Sequence, residues 1–189
     1  EELARVGAET FIRVGSCGAL HPEMDVGDLV ITTGAVRGEG TSEEYVREDY
    51  PAVADHAVVS ALVAAAERLG YDYHCGVTLS TDSFYAGQAR EGFEGFEAAG
   101  TETLLDDLRA ANVKNVEMEA SAILTLATVY GLRAGAVCTV FANRSTGEFR
   151  TEGEGRAAEV GSLAAALLHG MDERRADTGA DAWHADLSL

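Results

Sequence analysis

Short apolar runs alternate with longer amphipathic stretches along the 189 residues of the chain. The apolar runs are rich in β-branched residues, which predicts buried strands. These strands cover residues 10–14, 28–36, 75–79, 115–117 and 133–142. Apolar positions at helical spacing predict helices over residues 52–69, 101–111, 120–130 and 155–171. Because strands alternate with helices and most strands are apolar throughout, the pattern predicts an α/β fold with a central mixed β-sheet flanked by helices on both faces.

One structural domain is expected over residues 1–171, because a chain of this length can bury one sizeable core. Residues 172–189 are mostly polar and are expected to form a C-terminal tail. The acidic, glycine-bearing segment 89–100 predicts a mobile flap. The chain begins at Glu1 within a helix-like segment, so we expect its natural start to be missing and the domain to be N-terminally incomplete.

The charge of the chain is strongly negative. Thirty-two acidic residues against 14 basic residues give a formal net charge of −18. This balance argues against nucleic acid as a partner, because its phosphates need a basic surface. An acidic surface of this kind suits a salt-rich cytoplasm, where ions screen the repulsion between like charges, so a halophilic source is expected.

The three cysteines, Cys17, Cys75 and Cys138, are far apart in sequence and lie in apolar contexts. Buried free thiols in a reducing compartment are therefore expected. The sequence contains neither a Cys-x-x-Cys pair nor clustered histidines that would indicate a metal site. It also contains no uncharged apolar run of about 18 residues that would indicate a membrane span. The sequence thus favours a cytoplasmic protein without a metal or a membrane partner, and the five histidines are interpreted as surface or satisfied residues.

The segment Phe84–Arg90 places an amide and a guanidinium two positions apart, soon after an apolar run. Gln88 both donates and accepts hydrogen bonds, whereas Arg90 only donates, through a planar fork. Together they match a flat ring that carries a carbonyl, an N–H and a second carbonyl in a row, which is the edge of uracil. Phe84 offers an apolar face beside that edge, so the segment is a candidate base-binding element.

A glycine-bearing segment follows the first predicted strand, and it reads Arg13-Val14-Gly15-Ser16-Cys17-Gly18. A glycine-rich turn after a strand exposes successive backbone N–H groups, and a nearby serine hydroxyl and arginine would complete an anion-binding site. The alternative is a tight turn in which Arg13 forms a structural salt bridge, since an arginine in a core strand is costly unless it is paired. The segment does not match Gly-x-Ser-x-Gly and gives no support for a serine nucleophile.

Two acidic residues, Glu117 and Glu119, flank Met118 at the start of a predicted helix. One interpretation is compensation of the helix dipole, which favours acids at a helix N-terminus. The other is a carboxylate that accepts hydrogen bonds from vicinal hydroxyls of a sugar, with Met118 packed on the sugar face.

Asn143 and Arg144 end another predicted strand. They are either a polar strand terminus exposed to water, or they place Arg144 near the carbonyl edge that Gln88 and Arg90 address. Ligands collect at the carboxyl ends of strands in α/β folds, and the candidate segments all fall at such ends.

Taken together, the dispersed segments make the chain resemble the nucleoside phosphorylase-I family, and within it the members that cleave uridine. The resemblance runs from about Glu2 to Gly170. The segments that carry it are Arg13-Val14-Gly15-Ser16-Cys17-Gly18-Ala19, Gly27-Asp28, Tyr50-Pro51-Ala52-Val53-Ala54-Asp55, Phe84-Tyr85-x-Gly-Gln88-x-Arg90, Val116-Glu117-Met118-Glu119 and Ala142-Asn143-Arg144. Several matches in the right order are more specific than any one of them.

The resemblance implies reversible phosphorolysis of a pyrimidine nucleoside, in which uridine and phosphate give uracil and ribose 1-phosphate. It implies no cofactor and no metal. Inorganic phosphate takes part as a co-substrate. The implied catalytic residues are Arg90, Gln88 and Arg13. The implied binding residues are Arg13, Gly15 and Ser16 for phosphate, Met118 and Glu119 for ribose, and Phe84, Gln88, Arg90 and Arg144 for the base.

The resemblance also bears on the choice of base and on assembly. Purine-specific relatives have an aspartate at the position of Asn143, and asparagine cannot protonate a purine. The family's earlier phosphate-binding segment, which resembles Gly-Asp-Pro-x-Arg, has no counterpart here. A homo-oligomer built from dimers, a hexamer by resemblance, is implied. A hydrolytic nucleosidase, a purine nucleoside phosphorylase of the same fold and a non-catalytic nucleoside-binding relative stay open as alternatives.

Overall fold

The computed structural model describes residues 1–151 and 153–187. In these residues, helices and strands alternate along most of the chain. In chain order they are α1 Glu2–Arg5, β1 Thr10–Ala19, β2 Leu29–Gly38, β3 Ala52–Val53, α2 His56–Leu69, β4 Tyr73–Thr81, α3 Leu104–Ala110, β5 Val113–Glu117, α4 Ala120–Val129, β6 Arg133–Asn143 and α5 Arg156–Thr178.

The strands form one mixed sheet in the order β3-β2-β4-β5-β1-β6. The pairs β1–β6, β2–β4 and β4–β5 are parallel, whereas β1–β5 and β2–β6 are antiparallel. Because β6 also pairs with β2, five of the strands close on themselves into a small barrel, and β3 is attached outside this ring along β2. The predicted α/β fold with a central mixed sheet is therefore confirmed, and its closure is an additional feature.

Helices cover both faces of the sheet. On one face, α2 and α5 pack against Ile12, Leu29, Ile31 and Val137 in a shared core. On the other face, α4 packs in a separate cluster that includes Phe11, the neighbour of Ile12 along β1. Successive side chains of a strand point to opposite faces, so this division follows directly from the strand geometry.

Helix α2 begins later than the sequence pattern predicts. Residues 52–53 pair with β2 as the short strand β3, and the side chain of Asp55 then accepts hydrogen bonds from the backbone N–H groups of Ala57 and Val58. A side-chain acceptor at this position satisfies donors that have no partner within the helix, so the helix starts at His56. Gly70 ends it in the left-handed conformation.

The predicted turn at residues 15–18 is wrong. These residues continue β1, which pairs with β6 along its whole length, with a register shift between Cys17 and Gly18. The backbone of this segment is therefore strand rather than a turn that presents successive N–H groups. An anion site here depends on the side chains of Arg13 and Ser16.

Two further predictions need correction. Cys17 and Cys138 are buried free thiols as expected, but Cys75 is exposed. Helix α5 does not stop at residue 171 but continues to Thr178. After it, Trp183 packs against the α2–α5 core, and its carbonyl oxygen contacts the imidazole of His56. Part of the expected polar tail is thus helical or packed against the domain.

Candidate functional site

A cavity of about 240 Å³ lies where β1, β5 and β6 end, and the segment after β4 forms its opposite wall. The candidate residues come from four separate parts of the sequence. Those that line the cavity are Arg13, Ser16, Phe84, Gln88, Arg90, Met118 and Glu119. The fold therefore brings together most of the residues that the sequence singled out, and Gly15 and Arg144 lie outside this lining.

Arg13 lies in β1 and lines the cavity, with its side chain 12% exposed. Its Nε lies 2.9 Å from Glu117 Oε2 and donates a 3.1 Å hydrogen bond to Glu119 Oε2, to which Nη2 also donates. Its Nη1 donates to Cys138 Sγ at 3.0 Å. Burial opposes the charge, but the interactions with Cys138, Glu117 and Glu119 outweigh it and raise the pKa of the guanidinium. Arg13 is thus paired with acidic side chains, as expected of an arginine in a core strand, and it also lines a ligand-sized cavity.

Gly15 leaves the space that Arg13 occupies. A Cβ atom at this position would lie 2.1 Å from Arg13 Nη1, so any other residue would push the guanidinium away from its present place. Gly15 is not among the residues that line the cavity. The structure therefore gives it a spatial role beside Arg13, and its contact with phosphate stays a prediction.

Glu117 also lines the cavity, although it was considered above only as one of the two acids at the start of a helix. Its carboxylate accepts hydrogen bonds from the backbone N–H groups of Glu119 and Ala120, at 3.0 and 2.9 Å, and from the hydroxyl of Ser80. The first two bonds satisfy free donors at the start of α4, which is the helix-compensation role considered above. Because Glu117 is also paired with Arg13, it links Arg13 to β4 and to the start of α4.

Glu119 is in a different environment, although it lies only two residues further on. Its side chain is 55% exposed, and among the described residues its carboxylate hydrogen bonds all go to Arg13. Met118 beside it lines the cavity wall. A half-exposed carboxylate next to an apolar side chain is suited to bind the hydroxyls of a sugar, so the geometry agrees with the second interpretation of this segment.

Three of the predicted base-binding residues, Phe84, Gln88 and Arg90, line the same cavity. Gln88 is buried, and Arg90 Cζ lies 4.4 Å from the centroid of the Phe84 ring. Burial lowers the pKa of Arg90, and its Nε is a buried donor without a hydrogen-bond partner among the residues that the structure describes. A buried donor with no partner is costly, and a ligand acceptor would remove that cost.

The backbone beside Gln88 requires a glycine. A Cβ atom at Gly87 would lie 1.9 Å from Thr81 Oγ1, so a larger residue would push the segment off β4. Gly87 thereby allows the short 3₁₀ turn Ala86–Gln88 to pack against β4 and to hold Gln88 in the cavity wall. This explains physically why a glycine precedes Gln88.

Arg144 lies behind the cavity wall. Its guanidinium donates to the backbone carbonyl oxygens of Gln88 and Ala89, at 2.9 and 3.4 Å. Burial, and then the neighbouring charge of Arg90, lower the pKa of Arg144. The contact with Gln88 supports the wall from outside, and direct contact of Arg144 with a base stays a prediction.

Asn143 is committed to the backbone. Its amide nitrogen donates to the carbonyl oxygens of His21 and Met24, and its amide oxygen accepts from the N–H groups of Ser145 and Thr146. The side chain is buried and is not part of the cavity lining. In this structure Asn143 therefore shapes the turn after β6 rather than contacting the base position.

Nothing in the described part of the chain resembles a metal centre: no group of three or more His, Cys, Asp or Glu side chains is placed to hold an ion. Four of the five histidines have protein partners, as expected; His21 and His56 contact carbonyl oxygens, and His74 and His169 contact carboxylates. Within residues 1–151 and 153–187, no helix has the length and apolar character needed to cross a bilayer.

Comparison with known proteins agrees with this geometry. The chain is 56% identical to a uridine phosphorylase of Thermococcus kodakarensis, over 97% of this chain and 66% of that protein. It is 44% identical to a uridine phosphorylase of Klebsiella aerogenes, over 78% of this chain and 59% of that protein. It is also 44% identical to a guanosine phosphorylase of Halorubrum lacusprofundi, over 78% of this chain and 56% of that protein.

The matched region covers almost the whole chain but less than two thirds of the length of each of these relatives. A sequence model described as the phosphorylase superfamily matches residues 2–171, which contain all of the cavity residues. The fold, the cavity and these similarities together place the chain in the phosphorylase superfamily.

Proposed function

We propose that this protein catalyses the reversible phosphorolysis of a pyrimidine nucleoside, in which uridine and phosphate give uracil and ribose 1-phosphate. One observation supports this most strongly. A single cavity is lined by the amide of Gln88 and the guanidinium of Arg90 together with Arg13, Ser16 and Glu119. These groups match the base, the anion and the diol that the reaction must hold at the same time.

At the base end, Gln88 and Arg90 recognise the carbonyl–N–H–carbonyl edge of uracil. As the bond between N1 of the base and C1′ of the ribose lengthens, negative charge moves onto the base and its carbonyl oxygens. Arg90 stabilises that charge with a fixed donor in a partly buried site, where electrostatic interactions are stronger than in water.

At the sugar end, Glu119 binds the ribose hydroxyls and Met118 packs against the ring. Arg13 and the Ser16 hydroxyl hold phosphate beneath the sugar, where one phosphate oxygen forms the new bond to C1′. The ribose gains cationic character as its bond to the base lengthens, and the nearby anion stabilises it. Positioning and electrostatics supply the rate, so the reaction needs no covalent intermediate with the protein.

A guanine nucleoside is a second candidate substrate, because one of the similar proteins is a guanosine phosphorylase at 44% identity. Gln88 and Arg90 favour the pyrimidine. The side-chain amide of Asn143 is hydrogen-bonded to the backbone and cannot protonate a purine. A hydrolytic nucleosidase is disfavoured, since a water nucleophile does not need the anion-binding side chains of Arg13 and Ser16.

Several properties go with this proposal. The activity belongs to nucleoside salvage or catabolism in a cytoplasm, and it requires phosphate as co-substrate but no cofactor. The net charge of −18 suits a salt-rich medium, so activity is expected to tolerate high salt. The working form is a homo-oligomer built from dimers.

A panel of nucleosides tests the proposal directly. We expect the purified chain, assayed at high salt with saturating phosphate, to release base from uridine faster than from guanosine, and to release almost none when phosphate is omitted. Chromatography of the free bases gives both rates from one reaction. Faster cleavage of guanosine would favour the second candidate, and equal rates without phosphate would favour a hydrolase.

A further inference from the structure

We propose that Glu117 is a positioning residue for phosphate capture, which anchors Arg13 while Glu119 exchanges its bond to Arg13 for the ribose. This inference rests on the proposed function. In this structure both carboxylates contact the Arg13 guanidinium, with Nε 2.9 Å from an oxygen of Glu117 and 3.1 Å from an oxygen of Glu119. The two carboxylates differ in how firmly the rest of the protein holds them.

Glu117 is fixed. It is 3% exposed, and two backbone N–H groups at the start of α4 hold the same oxygen that faces Arg13. The Ser80 hydroxyl donates to the other oxygen, and Ser80 in turn accepts from the N–H of Ser121 at 2.8 Å. Glu117 therefore cannot follow a moving arginine without disturbing both β4 and α4.

The support continues into a second buried carboxylate, that of Glu39. The Ser121 hydroxyl donates to Glu39 at 2.8 Å, and Glu39 also accepts from the backbone N–H and the hydroxyl of Ser42. Burial opposes ionisation of Glu39, but these hydrogen bonds outweigh it and lower the pKa of the carboxyl. The start of α4 is thus held from two sides, which makes the anchor for Arg13 rigid.

Glu119 is exchangeable by contrast. Its side chain is 55% exposed, and among the described residues its carboxylate hydrogen bonds all go to Arg13. A sugar diol that enters the cavity offers Glu119 new donors, so its bonds to Arg13 Nε and Nη2 can be released. Arg13 then keeps its ion pair with Glu117, whose carboxylate lies 2.9 Å from Nε, and Nη2 is free to bind a phosphate oxygen.

This division of roles predicts opposite kinetic effects for two neighbouring carboxylates. Glu117→Gln removes the anchoring charge, so the guanidinium loses its fixed orientation, and we expect KM for phosphate to rise about tenfold while KM for uridine changes less than about threefold. Glu119→Gln, the matched control, removes the group that binds the diol, and we expect KM for uridine to rise more than KM for phosphate.

The experiment measures KM for each substrate with the other saturating, together with phosphate binding by calorimetry in the absence of nucleoside. Ser80→Ala removes one support of Glu117 but no charge, and it should raise KM for phosphate by a smaller factor, about two- to threefold. This variant keeps the test decisive even where Glu117→Gln folds poorly.

The outcomes distinguish the positioning role of Glu117 from the proposed function itself. A selective loss of phosphate affinity in Glu117→Gln and Ser80→Ala supports the positioning role. Unchanged constants, or equal losses for both substrates, would overturn it while wild-type turnover still supported the proposed function. Wild-type protein that neither binds phosphate nor cleaves uridine would contradict the proposed function itself.

Discussion

Replacing Arg90 with alanine is expected to lower kcat for uridine phosphorolysis by about 10²–10³-fold, the usual cost of removing one preorganised donor to a developing anion. Arg90 lies over the Phe84 ring and has a buried Nε without a protein partner, so its removal breaks no ion pair within the described residues. The fold should therefore stay intact. Initial rates of uracil release, followed by absorbance, give the change in kcat.

Arg68→Ala is the matched control for this substitution. Arg68 is an exposed arginine near the end of α2, on a helix that does not contribute to the cavity. It should leave kcat unchanged, because its removal alters only the surface charge. An Arg90→Ala variant that keeps normal circular dichroism and more than half of the wild-type kcat would contradict the assignment of Arg90 to the base.

Replacing Arg13 with lysine is expected to raise KM for phosphate by at least about tenfold, the second large effect. Lysine keeps a positive charge beside Glu117, so the buried carboxylate retains a cation. It lacks the planar fork, whose Nε and Nη2 donate to Glu119 in this structure and are suited to bind an oxyanion. Phosphate titrations at saturating uridine measure the effect.

Arg133→Lys controls for the loss of an arginine fork as such. Arg133 forms a two-bonded ion pair with Asp172, both bonds at 2.8 Å, at the opposite end of β6 from the cavity. Its replacement should leave KM for phosphate at the wild-type value. A similar rise in KM in both variants would show that Arg13 acts through stability rather than through phosphate.

Alanine at position 13 has a different expected outcome, which explains the choice of lysine. It would leave the buried carboxylate of Glu117 without its cation, and breaking a buried ion pair in this way costs about 3–5 kcal/mol of stability. Chemical denaturation of the alanine variant would detect this loss. The kinetic role of Arg13 is therefore separable from its structural role.

The order of strands and helices could be predicted from the sequence, because apolar runs and helical periodicity are local signals. Two features could not. Closure of the barrel depends on the pairing of β2 with β6, which are about 100 residues apart in the chain. The Gly-Ser-Cys-Gly segment is typical of a turn, but pairing with β6 holds it in a strand, so tertiary contacts decided its conformation.

The candidate site was predictable to a similar degree. Charged and amide side chains at strand ends are conspicuous, and most of those identified line one cavity. The supports were missed because Ser80 and Ser121 are small residues within an apolar strand and an apolar helix, where a hydroxyl gives no pattern of its own. Glu117 carried one usable signal, its place in the acidic pair just before α4, because acids are favoured near a helix N-terminus.

Phosphorus NMR of a mixture of the protein, uridine and phosphate shows whether phosphate, and not water, receives the ribose of a pyrimidine nucleoside in this cavity. We expect transfer to phosphate, seen as a ribose 1-phosphate signal that grows in step with free uracil. Uracil that accumulates together with free ribose, while the phosphate signal stays constant, would contradict it.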